Sequence, residues 1–144
     1  MSATLASVVT STISIGSQTG APCSSYTTIN DPTRNINYKG GSACDRVSLF
    51  NATDGGSWIR FIGTGGTTIP TTPIIKAACG AYVPGWHNGT LPPNVGDIVN
   101  GTICFSVDYI LCISTLGTTI VNCGGFYIYL LLPSAICSSR YCTI

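Results

Sequence analysis

Apolar positions in this chain gather in β-branched and aromatic runs broken by glycine pairs, and helical periodicity with caps is hard to find anywhere. The clearest element is a hairpin: TTIVNC at 118–123, then Gly124-Gly125, then FYIYLLL at 126–132. On its return strand Phe126, Ile128 and Leu130 fall on one face, and Tyr127, Tyr129 and Leu131 on the other. WIRFI at 58–62 and DIVNGTICFSV at 97–107 are further strands. Glycine pairs at 40–41, 55–56, 65–66 and 124–125 punctuate the β-branched and aromatic runs. The pattern predicts an all-β fold in which any helix is a turn or two long.

The first twenty residues carry the same signature. Leu5, Val9, Ile13 and Ile15 are apolar at odd positions, while Thr4, Ala6, Thr10, Thr12 and Ser14 alternate with them, Val8 being the exception. This predicts a strand buried on one face, and it precedes the first cysteine, so no disulfide ties it down. Residues 1–20 are therefore expected to form an extended Ser/Thr-rich arm, and residues 21–144 the domain proper. The arm either pairs within its own domain, carries O-linked sugar, or completes the sheet of a neighbouring copy. Donated head-to-tail, such a strand builds a filament unless the ring closes.

Composition changes the picture in two ways. Only 8% of the 144 residues are charged, against about 25% in ordinary domains, and net charge is +1. The basic residues Arg34, Lys39, Arg46, Arg60, Lys76 and Arg140 are scattered, which argues against nucleic acid as a partner. So apolar a chain needs its surface covered, by sugars or by other molecules. No run approaches the roughly 20 apolar residues of a membrane helix, and 126–132 is better read as a buried strand. No basic start followed by an apolar run opens the chain, as expected of a secreted protein that has lost its leader.

Eight cysteines in a short chain read as a disulfide framework from an oxidising compartment. Metal-ligand spacing is missing, since Cys137 and Cys142 are the closest pair and the single histidine lies far off. Spacing alone leaves the connectivity open. An oxidising compartment gives meaning to three Asn-x-Thr triplets, at Asn51, Asn88 and Asn100, each near turn-forming residues.

One of these adjoins the histidine, in GWHNGT at 85–90. A hydrolytic reading of His87 needs a nucleophile and an orienting acid such as Asp97 or Asp108, and no nucleophile context such as Gly-x-Ser-x-Gly occurs. The five aspartates read as turn residues, as in Asn30-Asp31-Pro32, rather than as facing catalytic carboxylates. The expectation is no enzyme, no cofactor and no metal, with His87 in a loop beside a glycan and Trp86 packed beneath it. Trp58, Trp86, Tyr82, Tyr127 and Tyr129 form a sugar- or protein-binding platform only if they are exposed together.

Eight blocks in order carry a family resemblance: CSSY from Cys23, ACD from Ala43, GSWIRFIGTGG from Gly56, ACG from Ala78, GWHNGTLPP from Gly85, GDIVNGTIC from Gly96, NCGGFYIY from Asn122 and RYCT from Arg140. Together they resemble the ten-cysteine extracellular domain of the uromodulin and zymogen-granule membrane glycoprotein 2 type, over about residues 23–143. The resemblance implies a secreted, mostly β, non-enzymatic domain of mucosal glycoproteins, whose glycans can act as decoys for bacterial adhesins. It implies the pairing Cys23–Cys123, Cys44–Cys137, Cys79–Cys142 and Cys104–Cys112. The two family cysteines missing here would fall near Pro73 and at Leu111, and they look to be bonded to each other in the family. Asn88 falls on a family glycosylation site, whereas a second family site, at 130–132, has no acceptor asparagine here. The combined expectation is a structural or adhesive glycoprotein that self-assembles through its N-terminal strand, with a monomeric glycan-bearing decoy or binding module as the alternative.

Overall fold

A computed structural model describes residues 22–45, 50, 55–134 and 136–144. The arm residues Leu5, Val9, Ile13 and Ile15, and the acceptor Asn51, lie outside the described residues.

Among the described residues the chain is all β, apart from two 3-10 turns, Pro22–Ser24 and Pro32–Arg34. Seven strands make one sheet: β1 Thr27–Ile29, β2 Ser57–Phe61, β3 Val83–Asn88, β4 Ile98–Val107, β5 Ile110–Asn122, β6 Tyr127–Leu131 and β7 Ser139–Tyr141. Their order is β1-β2-β6-β5-β4-β3-β7. The two outer strands pair parallel with their neighbours and the rest pair antiparallel. A bridge between Asn35 and Thr143, just beyond β1 and β7, draws the two edges of the sheet together.

The β5–β6 hairpin follows the alternation closely. Gly124 and Gly125 have φ of 82° and 86°, the left-handed backbone that a tight two-residue turn requires of both central positions. Asn122 then pairs with Tyr127, and Thr119 with Leu130. Both faces of β6 are covered. Tyr129 and Leu131 enter the main core with Phe61, Ile103, Phe105 and Tyr141, and Tyr127 packs at its margin. Ile128 belongs to a second cluster with Trp58 and Val121, flanked by Phe126, Leu130, Tyr26 and Cys23.

The β4–β5 hairpin is longer than the sequence pattern suggests. Its turn is Asp108-Tyr109, both at positive φ, and β5 begins at Ile110 rather than near Thr118. The register shifts between the pairs Phe105–Ser114 and Val107–Ile110, leaving extra residues in β5. The Cys104–Cys112 bridge and two hydrogen bonds to the Leu111 carbonyl, from Trp86 Nε1 at 3.0 Å and Ser106 Oγ at 2.7 Å, hold that irregular stretch. The tip is tied to the preceding loop: Tyr109 N–H donates to the Ile75 carbonyl at 2.7 Å, and Lys76 Nζ sits 5.4 Å from the Tyr109 ring centre.

Four disulfides join Cys23 to Cys123, Cys44 to Cys137, Cys79 to Cys142 and Cys104 to Cys112, the four pairs named above. No described helix is long and apolar enough to cross a membrane.

Candidate functional site

The stretch GWHNGT is a strand end, not a loop. In β3, Val83, Gly85 and His87 turn to the interior, so the expectation of His87 in a loop is corrected: it is a strand residue and fully buried. Its ring fills space that two glycines leave open. A Cβ on Gly101 would stand 2.6 Å from Nε2, and one on Gly89 would stand 2.9 Å away. The His87 N–H donates to the Pro70 carbonyl at 2.8 Å, but Nδ1 and Nε2 have no partner among the described residues. Among the described residues no aspartate orients the ring. Asp97 instead accepts from the Asn94 backbone and side chain. The ring is packed against Gly101 and Gly89 inside the domain.

Burial pushes the His87 pKa below its ordinary value. The proton therefore binds the unfolded chain more readily than the folded one. Stability is full above the unfolded pKa, about 6.5, and falls as pH drops below it, at up to about 1.4 kcal/mol per pH unit. His87→Leu is expected to flatten the denaturant-midpoint profile between pH 6.5 and 5. An unchanged slope would reject this account.

Trp86, on the opposite face of β3, is buried as expected, its Nε1 donating to Ser106 Oγ at 2.8 Å. Beside it Asn88, Gly89 and Thr90 are exposed. Asn88 pairs with Thr102 in β4, which puts Asn100 diagonally across from it on the same face, with Cα atoms about 7–8 Å apart. Asn100 is also exposed, although it lies in mid-strand rather than at a turn. Its Oδ1 accepts from Thr119 Oγ1 at 3.1 Å, a contact that does not use the side-chain amide nitrogen. Two of the three acceptor triplets thus meet on one open face.

The aromatic platform does not form. Trp58, Trp86 and Tyr129 are buried, Tyr127 is half-buried, and of that set only Tyr82 is exposed. Tyr129 OH accepts from the Ile69 N–H, and burial drives its pKa upward. Among the described residues no three His, Cys, Asp or Glu side chains converge as metal ligands.

The polar cluster that sequence reasoning missed lies elsewhere. Arg34 grips Asp45 with two parallel hydrogen bonds of 2.8 and 2.7 Å, and also donates to the Tyr141 carbonyl. Tyr141 N–H completes the Asp45 carboxylate at 2.8 Å. The guanidinium carbon lies 5.7 Å from the Phe61 ring centre and 6.0 Å from that of Phe50. Arg140 in turn bonds Asp31 at 2.7 Å and Thr33 Oγ1 at 2.8 Å. Burial alone would raise the Asp31 pKa, but Thr33 and Arg140 outweigh it and hold the carboxyl below its usual range. Asp31 is a turn residue as expected, capping the 3-10 turn through Thr33 N–H. Asp45 is not. The cluster fastens the segment after β1 to β7, which is structural work.

Residues 59–143 match the family model of the uromodulin-like domain. The chain is similar to the pancreatic secretory granule membrane major glycoprotein GP2 of Canis lupus familiaris, 35% identical over 124 residues, covering 85% of this chain and 23% of that protein. Against the GP2 of Homo sapiens it is 31% identical over 125 residues, covering 85% and 22%. Against the uromodulin of Mus musculus it is 32% identical over 123 residues, covering 85% and 18%. The chain spans less than a quarter of the length of these relatives.

Proposed function

Because this chain belongs to the uromodulin-like domain family, we propose that it serves outside the cell as a structural or adhesive glycoprotein with no chemistry of its own. Asn51, Asn88 and Asn100 are its sugar acceptors, and its N-terminal strand links one copy to the next. The observation that carries this reading is the pair Asn88 and Asn100, exposed together on one face of a sheet bound by four disulfides. An open polar face suits sugar, which would also cover a surface short of charge. The buried, unpartnered His87 and the buried aromatics support scaffolding over catalysis or ligand stacking. Two relatives, named as a granule membrane glycoprotein and as uromodulin, support an extracellular setting. Assembly rests on the alternation of Leu5, Val9, Ile13 and Ile15 in a segment without charge.

Expressed through a glycosylating secretory route, the protein is expected to lose a glycosidase-sensitive step in mass with each of Asn88→Gln and Asn100→Gln. Equal mass in all three proteins would overturn the sugar assignment. Electron microscopy of the intact chain is expected to show filaments that vanish when residues 1–20 are deleted. Single particles in both samples would leave a monomeric glycan-bearing decoy.

A further inference from the structure

We propose that the open edge of β5 around Thr115 and Gly117 is the acceptor for the N-terminal strand of a second copy of this chain. The proposal rests on the reading of residues 1–20 as a donor strand and adds where that strand goes.

β6 fills only part of the side of β5 available to it. It pairs with Thr119, Ile120, Val121 and Asn122, and then ends at Leu131. Beyond Pro133 the chain turns away, with Ser134 N–H donating to the Asp45 carbonyl. The direction of the vacated groups follows from the ladder. Asn122 bonds the Gly96 and Asp97 backbone on the β4 side, whereas Cys123 N–H donates to Phe126 on the β6 side. Alternation therefore aims the N–H and C=O of Thr115 and Gly117 at the side β6 has left. Among the described residues nothing takes them.

Apart from the irregular pairing at the start of β5, the devices that blunt a free edge are missing from this strand. No charge and no proline occurs from Ile110 to Asn122. Ile110, Leu111 and Ile113 stand exposed at its start. Gly117 points the same way. It has no positive φ, and a Cβ there would meet nothing within 4 Å. Packing among the described residues gives no reason for glycine at this position. A bare backbone on an open edge permits the close approach of another strand.

The arm fits this site. It too is uncharged, so pairing buries no ion, and its alternate apolar side chains can lie beside Ile113 and its neighbours. Twenty extended residues reach about 66 Å, several times the roughly 17 Å of a five-residue edge. The arm's root is held by Cys23–Cys123, beyond the stretch that β6 fills.

The test compares the intact chain, the chain lacking residues 1–20, Gly117→Pro and Gly117→Lys by sedimentation and electron microscopy. Gly117→Pro removes an N–H that serves no internal bond, and Gly117→Lys has open space for its side chain, so both should keep four disulfides and the parent melting behaviour. Each is expected to raise the concentration needed for assembly by about tenfold or more. A mixture of the deleted chain with Gly117→Lys, one supplying the edge and the other the arm, is expected to form heterodimers that neither forms alone. Filaments lost on deletion but unchanged in both folded Gly117 variants would overturn the acceptor assignment while leaving assembly through the arm intact. A monomeric parent chain would overturn both. Protection of the arm's amides in such a monomer would mean that the arm fills its own edge.

Discussion

Asp45→Ala is expected to destabilise the domain by about 3 kcal/mol, because it leaves the buried Arg34 with only the Asp31 carboxylate, 3.8 Å from its Nε, as counter-charge. The side chains of the pair are 6% and 3% exposed, so water cannot stand in for the missing carboxylate. Two phenylalanine rings flank the guanidinium, and the Tyr141 carbonyl satisfies only one of its N–H groups. The loss would also strip Tyr141 N–H of its acceptor in β7. Replacing both partners with apolar residues, as in Arg34→Met with Asp45→Leu, should recover much of the loss, since neither desolvated charge then remains. Denaturant unfolding of the three variants measures this directly. A loss below about 1 kcal/mol for Asp45→Ala would show that the pair behaves as a surface contact.

Removing Cys23–Cys123 by a double alanine substitution is expected to cost more than removing Cys104–Cys112. The two bridges close separations of 100 and 8 residues. With Cys44–Cys137 intact, the effective loop for the first is about 35 residues, and chain entropy assigns it about 4 kcal/mol against about 2.5 for the second. Packing should widen the gap, because Cys23 and Cys123 also flank the Trp58 cluster whereas Cys112 is exposed. Thermal melts of the two double variants under oxidising conditions give the ranking. Equal or reversed losses would mean that the short bridge does more than shorten the unfolded chain, through its hold on the irregular start of β5.

What could be read in the sequence followed physical causes. β6 was legible because apolar residues occupy both of its faces and two glycines mark its turn. β2 was legible from its aromatic and β-branched run after Gly55-Gly56, and β4 from its β-branched run after Gly96. The first half of β5 was not, since its turn uses Asp108-Tyr109 instead of glycine and its exposed positions are as apolar as a core strand. β3 was hidden by Pro84 and Gly85, ordinarily breakers, which here lie against the short parallel strand β7. β1 and β7 are three residues each, too short for any period to show. His87 looked like a surface residue because its pocket is made by Gly101, a residue whose contribution is empty space. Asp45 looked like a turn residue because its partner sits eleven positions away with no shared pattern. The face that carries the acceptor triplets was half visible: the triplets could be seen, but their meeting on one face depends on the β3–β4 register.

The disulfide connectivity also dictates an order of events during biosynthesis. Cys44 and Cys79 must wait for residues 137 and 142, and Cys23 for residue 123, before any of them can be oxidised correctly. Only Cys104 and Cys112 can close soon after they emerge from the ribosome. β7, whose Tyr141 backbone the Asp45–Arg34 pair binds, arrives equally late, so six of the eight thiols stay unpaired until residues 123 to 142 have been made. Correct pairing is therefore complete only after residue 142 has been made, and three of the four bridges each wait for a cysteine between residues 123 and 142.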